Sequence, residues 1–242
     1  MRAWIWLGRV TKEILREPLS LVFGIGFPVL LLLLLSAIQS NVPIELFALS
    51  ELTPGIAVFG LSFLSLFSAQ LISKDRAAFV LGRMFTTPMR ARDFIVGYTL
   101  PLLPMALAQG IVCYAVAWGL GLPLTWNVLM ALILLLPVAA IYIAIGLLCG
   151  SAMQEKAATA VCGALLTNLS AWLSGTWFSL ELVGKGFSTV ARCLPFSHAV
   201  ELGRAALQGR WADIWEHVLW ASGYAAVLLT AAIFVFRNRM KT

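Results

Sequence analysis

Five runs of this chain contain no Asp, Glu, Lys or Arg: Pro18–Ile44, Leu52–Ser73, Phe94–Gln154, Ala157–Leu180 and Val218–Phe236. A helix that crosses a bilayer needs about 20 apolar residues, and each run reaches or exceeds that length. Inside lipid every backbone N–H and C=O must find its partner within the protein, which a helix does by itself. Composition agrees. Of the 242 residues, 61% are hydrophobic and 12% charged, with mean hydropathy +0.92. A soluble domain carries about 45–50% apolar and about 25% charged residues. These values exclude an ordinary water-soluble enzyme, and they exclude disorder, which needs low hydrophobicity. The spans consume most of the chain, so no sizeable soluble domain fits beside them.

The third run is too long for one helix. It divides at Gly119–Asn127, which holds two glycines, a proline and an asparagine. The reading is an all-α membrane protein with six transmembrane helices at 19–40, 53–74, 95–118, 128–150, 157–178 and 218–236. The first apolar run follows Arg9, Lys12, Glu13, Arg16 and Glu17, a pattern unlike a cleavable signal peptide. With six spans both termini share a side. That side carries thirteen Lys and Arg, against four (Lys185, Arg192, Arg204, Arg210) on the other. The excess places both termini of a multi-pass membrane protein in the cytoplasm. Trp118, Trp126, Trp172, Trp177, Trp211, Trp215 and Trp220 fall near the outer helix ends, where an aromatic belt belongs.

Three segments lie outside the spans. Residues 3–17 read as an amphipathic interfacial helix, with Trp4, Leu7, Thr11, Ile14 and Leu15 on one face and Arg9, Lys12 and Arg16 among the polar remainder. The inner loop Lys74–Asp93 is the most charged. In it Thr87 as N-cap and Pro88 at the first helical position predict a short helix at about 88–95 bearing Arg90, Arg92 and Asp93. A plain basic membrane anchor is the alternative for that loop. The outer loop 179–217 is too long for a connector. Its Ser197–Gln208 stretch has helical character after Pro195, with Glu201 and Arg204 one turn apart, so short outer helices are expected between spans five and six.

The chemistry excludes several functions. Apart from Lys74 at the inner end of the second, no expected span holds an Asp, Glu, Lys or Arg, which disfavours proton- or sodium-coupled carriage. No GxSxG, HExxH or GxxxxGK[ST] motif occurs, so no catalytic constellation and no phosphate loop is expected in this chain. Cys113, Cys149, Cys162 and Cys193 lack metal or disulfide spacing, and His198 with Glu201 offers two ligands without a third, so no metal site is expected. The net charge of +6 is clustered beside the spans rather than laid out as a nucleic-acid stripe. Within the spans Gln70, Gln109, Tyr142, Thr167 and Asn168 are the polar candidates for a pathway, although packing hydrogen bonds account for most such residues. Gly146 and Gly150 have a small-xxx-small spacing for close helix contact.

Taken in order, these features resemble the membrane subunit of an ABC-2 type exporter. A basic amphipathic helix precedes the first span. The inner stretch Asp75–Gly97 runs from charges through Thr87-Pro88 to a short helix and a glycine opening the third span. The fifth span ends in Leu173-Ser174-Gly175, and the outer loop carries Leu194-Pro195 leading through His198 and Glu201 to Arg204. The resemblance implies a permease that pairs with a second permease subunit, the same or related, and docks on a separate ABC ATPase subunit that binds ATP and Mg2+. It implies that Thr87, Pro88, Met89, Arg90, Ala91, Arg92, Asp93 and Phe94 form the coupling helix. It also implies outward transport, with a hydrophobic or amphipathic drug, antibiotic, lipid or peptide as cargo. The alternatives are an ATP-independent transporter or channel, and a membrane scaffold that binds a partner through the inner loop.

Overall fold

The computed structural model describes residues 2–18, 22–42, 48–78 and 90–239, with side chains from Trp6 to Asn238. Every regular element among them is helical. The helices are α1 (Arg2–Leu15), α2 (Val22–Gln39, opening with a π turn), α3 (Leu49–Ala77), α4 (Ala91–Gly119), α5 (Trp126–Ala152), α6 (Glu155–Ala160), α7 (Thr167–Leu173), α8 (Lys185–Arg192), α9 (Pro195–Gln208) and α10 (Trp211–Arg239). A π turn, Val161–Leu166, joins α6 to α7, and a 3-10 turn, Leu180–Leu182, precedes α8. Among the described residues five helices, α2, α3, α4, α5 and α10, are long and apolar enough to cross a membrane. The expected fifth span is the broken helix α6–α7. It stops at Leu173 rather than 178, where Gly175 turns the chain with φ +71°.

Helix ends depart from the sequence reading in a consistent way. α3 runs to Ala77, so Lys74, Asp75 and Arg76 are its last turn instead of the start of a loop. α4 begins at Ala91 and continues unbroken to Gly119, so no separate short helix occupies 88–95 among the described residues. Thr87, Pro88 and Met89 lie outside the described residues. Arg90 is the N-cap, and its backbone N–H donates to the Asp93 carboxylate at 2.9 Å. That bond satisfies an orphan donor and sets a negative charge at the helix N-terminus. The last helix starts at Trp211, ahead of the expected 218.

α3 is the hub, with 83% of its apolar window buried, and its longest contact is with α5. Small residues bring these two helices together. A Cβ on Gly146 would collide with the Ser68 hydroxyl and the Ser65 carbonyl. Ser68 Oγ instead donates to Ser65 O at 3.0 Å and to Ile143 O across the interface at 3.2 Å. Close packing of this kind drives association where lipid removes the usual hydrophobic gain. α2 and α10 lie at the periphery and turn Leu30, Leu33, Leu34, Val227 and Phe234 outward. Trp118, Trp126, Trp172 and Trp211 are exposed at helix ends, Trp215 and Trp220 are exposed further along α10, and Trp177, also assigned to the belt, is half-buried against Phe59.

α1 corrects the face chosen from sequence. The stripe that packs is Trp6, Val10 and Ile14, all buried, whereas Leu15 is 66% exposed and Leu7 only half-buried. Trp4's side chain lies outside the described residues. Trp6 meets the edges of Phe94 and Tyr98 at centroid distances of 5.4 and 5.5 Å, over Gly97, where a Cβ would overlap the indole. Two apolar stripes overlap on this helix, and the partner surface at the start of α4 selects the one carrying the indole.

Candidate functional site

Two polar clusters stand at opposite ends of the bundle. The first is centred on Asp75, in the last turn of α3 and 3% exposed. A buried carboxylate must be paired to be tolerated. Arg9 of α1 supplies the pair: Nη1 donates to Oδ2 at 2.9 Å and Nη2 bonds Oδ1, a two-pronged contact that fixes angle as well as distance. Tyr98 of α4 donates its hydroxyl to Oδ2. Arg9 also lies 4.6 Å from the Trp6 ring centroid and 3.3 Å from Glu13. The Asp75 hydrogen bond raises the Arg9 guanidinium further above its ordinary value. Burial raises Glu13 above the usual carboxylate value, and the Asp75 charge adds to it. Lys74 pairs with Glu17 at 2.6 Å.

Neighbouring contacts extend this clasp. Arg76 donates to Gly150 O at 2.8 Å and also bonds Ser151 O, satisfying carbonyls at the end of α5. Phe94 is fully buried and packs on Phe236 of α10 at 5.5 Å. One end of the molecule thereby ties together α1, α3, α4, α5 and α10. Among the residues assigned to the coupling helix, Asp93 serves the helix start and Phe94 serves the core. Arg90 and Arg92 face outward, with Arg92 only loosely paired to Asp93 at 3.8 Å. Lys12 of α1 and Arg16 just after it are exposed on the same end.

The second cluster surrounds Arg204 of α9. Its Nε bonds Glu51 of α3 at 2.8 Å, Nη1 bonds Glu201 at 2.9 Å and Nη2 donates to Gly175 O at 3.1 Å. One side chain thus joins α9, the start of α3 and the turn after α7. Leu194 and Pro195 stand at the cap and first position of α9, as a Leu-Pro helix start requires. A cavity of about 620 Å³ opens here, lined by Glu51, Thr176, Trp177, His198, Glu201 and Arg204 among others. Its size is that of a small-molecule pocket.

The pathway candidates do not converge. Gln109 is buried and donates Nε2 to Ala57 O at 3.1 Å, joining α4 to α3. The buried Tyr142 hydroxyl bonds Ser170, joining α5 to α7. Thr167 donates to Cys162 O at 3.2 Å across the π turn, and Asn168 donates to Ala164 O at 2.7 Å while facing outward. Gln70 is half-buried on α3. Gln109, Tyr142, Thr167 and Asn168 bond between or within helices, and none of the five lines the cavity beside Arg204. Sequence reasoning missed Trp6, Asp75 and Tyr98 at one end and Glu51 and His217 at the other. The available signal was an acid between Lys74 and Arg76 with an arginine in the first helix, which fixes no contact by itself.

The ABC-2 type transporter family model matches residues 2–207, from the start of α1 to the last turn of α9, and so covers both clusters. A search of the curated proteins gave no match. The chain belongs to the ABC-2 type transporter family and is a membrane-spanning transport permease.

Proposed function

We propose that this permease is the membrane half of an ATP-driven exporter in a bacterial cytoplasmic membrane. It crosses six times with both termini inside, pairs with a second permease subunit, the same or related, and is driven by a separate ATPase subunit that binds ATP and Mg2+. Support for the sixth crossing comes from α6–α7. From Glu155 to Leu173 it rises about 28 Å at ~1.5 Å per residue. It runs antiparallel to α3: Ala158 and Cys162 pack on Ala69, Gly163 lies beside Leu66, and Thr176 reaches Gly55. Glu155, Lys156, Thr167 and Asn168 dilute its apolarity. α1 keeps Leu7 and Leu15 off the bundle, available to a lipid surface while its other stripe is docked.

The observation that carries the reading is the Asp75 clasp. A push on the start of α4, where Arg90 and Arg92 are exposed, passes through Tyr98 and Asp75 to α3 and through Arg9 to α1. Arg90 and Arg92 are the contacts assigned to the ATPase. The buried polar residues are hydroxyls and amides apart from the paired Asp75 and the ring of His198, which suits a hydrophobic or amphipathic cargo such as a drug, antibiotic, lipid or peptide.

The test is purification of the tagged chain from native membranes, followed by the double variant Arg90→Glu/Arg92→Glu. The expected result is a stoichiometric soluble ATPase in the wild-type preparation, and loss of cargo-stimulated turnover in the variant with the chain still inserted. A chain that purifies alone, or a variant with full activity, overturns the coupling assignment.

A further inference from the structure

The chain has two histidines, and they meet. His198 lies on α9 and His217 on α10, with their Nδ1 atoms 2.9 Å apart. His198 Nε2 lies 2.8 Å from the carbonyl oxygen of Arg192, the last residue of α8. A carbonyl can only accept, so His198 Nε2 carries the hydrogen and neutral His198 presents a lone pair at Nδ1. His217 must then donate its Nδ1–H. The His198 ring, 7% exposed, stacks on Trp220 at 4.8 Å with the planes 8° apart. Trp220 stacks in turn on Tyr224, whose hydroxyl donates to Cys193 O at 2.6 Å. α8, α9 and α10 are therefore joined beside the cavity through one shared proton and one stack.

We propose that His198 and His217 form a proton-sensitive latch between α9 and α10: their hydrogen bond stands while one ring keeps a free Nδ1 lone pair, and is lost when both rings are protonated, which leaves the Trp220 stack to hold His198 to α10. The proton count fixes the order. The neutral pair carries two ring protons, on His198 Nε2 and His217 Nδ1. A first added proton goes to His217 Nε2, which leaves the Nδ1–H···Nδ1 bond in place and makes it charge-assisted. The second can go only to His198 Nδ1, the acceptor of that bond. Two N–H groups and two positive rings then face each other and the bond is lost. Histidine is the side chain whose ordinary titration lies between pH 5 and 8.

The surrounding charges fit this order. Facing the pair are Asp213 and Glu216 on α10, Glu201 and Arg204 on α9, Arg192 at the end of α8, and, across the cavity, Glu181 before α8 and Glu51 on α3. Glu201 is paired with Arg204 and Arg210, Glu51 with Arg204, Glu181 with Arg192 and Asp213 with Arg210. Glu216 makes no ion pair among the described residues, so it is the carboxylate left to balance the first added charge. A metal ion in place of the proton fits less well. Two nitrogens about 2.1 Å from a tetrahedral ion stand about 3.4 Å apart, and no group of three metal-ligating side chains forms among the described residues.

The exposure of this latch to the outside rests on the orientation proposed above; the latch itself does not. The test is selective 15N-histidine labelling of the full chain in nanodiscs, titrated without the ATPase. Expected at neutral pH are one Nε2–H and one Nδ1–H tautomer. The rings should then titrate in two coupled steps separated by about one pH unit or more. In His198→Gln or His217→Gln the remaining ring should titrate in a single uncoupled step. Thermal stability of the wild type should fall through the second step, because the unfolded chain binds the second proton more readily than the folded one. Two independent steps with matching tautomers overturn the latch, and so does a spectrum that shifts on adding a chelator, which would assign the pair to a metal. A lost ATPase partner alters none of these signals, so failure of the transport reading remains distinct.

Discussion

Asp75 serves two partners from two other helices with a single carboxylate. Arg9 is expensive to leave alone, but it keeps 36% of its side chain in water, which moderates the loss. Asp75→Ala is expected to cost about 2–3 kcal/mol, below the roughly 3–5 kcal/mol of a fully buried pair because Arg9 stays partly hydrated. Asp75→Asn should cost roughly half of that, since an amide oxygen still accepts from Tyr98. Melting of the solubilised chain measures both, and wild-type melting in Asp75→Ala would show that the clasp does not hold α1. The sequence places Asp75 among charges but says nothing of its burial. An acid between Lys74 and Arg76 reads as loop until Arg9 and Tyr98 arrive from elsewhere in the chain.

At the scale of elements, helices were legible and their ends were not. A charge-free run reports its own length, so α2, α3, α4, α5 and α10 follow from the sequence with shifted bounds. The ends are set by groups that arrive from other elements: Arg204 on Glu51 at the start of α3, and Arg9 on Asp75 at its end. The glycine pair was a weak signal that the packing makes decisive. Gly146→Ala sets a methyl against the Ser65 backbone, which cannot rotate away, so α3 and α5 must separate. The expected cost is about 1–3 kcal/mol, read as a lower melting temperature and lower yield. Gly223→Ala on α10 is the control. Nothing lies within 4 Å of its added Cβ, so that variant should be neutral or more stable. Equal behaviour of the two variants would remove the close α3–α5 contact from the account.

Across the whole molecule, α3 links the Asp75 clasp at one end to the Arg204 cluster at the other. Arg204 closes its end by holding the turn after α7 to the start of α3 through Gly175 and Glu51. Arg204→Met keeps the packed stem and removes the donors. Thr176, 5% exposed, sits behind that contact. In a Cys193→Ser background, Thr176→Cys should resist a membrane-impermeant thiol reagent, and adding Arg204→Met should make it react from outside the cell. Reaction from the cytoplasmic side would reverse the orientation, and no change would deny Arg204 its closing role.

By itself the sequence determined that the chain is helical, that its helices are membrane-long, and in what order they come. It could do so because lipid imposes a local condition, a run of apolar residues long enough to satisfy its own backbone. Tertiary structure alone decided which stripe of α1 docks, that Asp75 is buried, that Phe94 belongs to the core, and that His198 meets His217 nineteen residues away. Those outcomes depend on pairing between distant segments, where the low dielectric of the packed interior makes each polar group find a specific partner, and no single run of residues carries that partner's address.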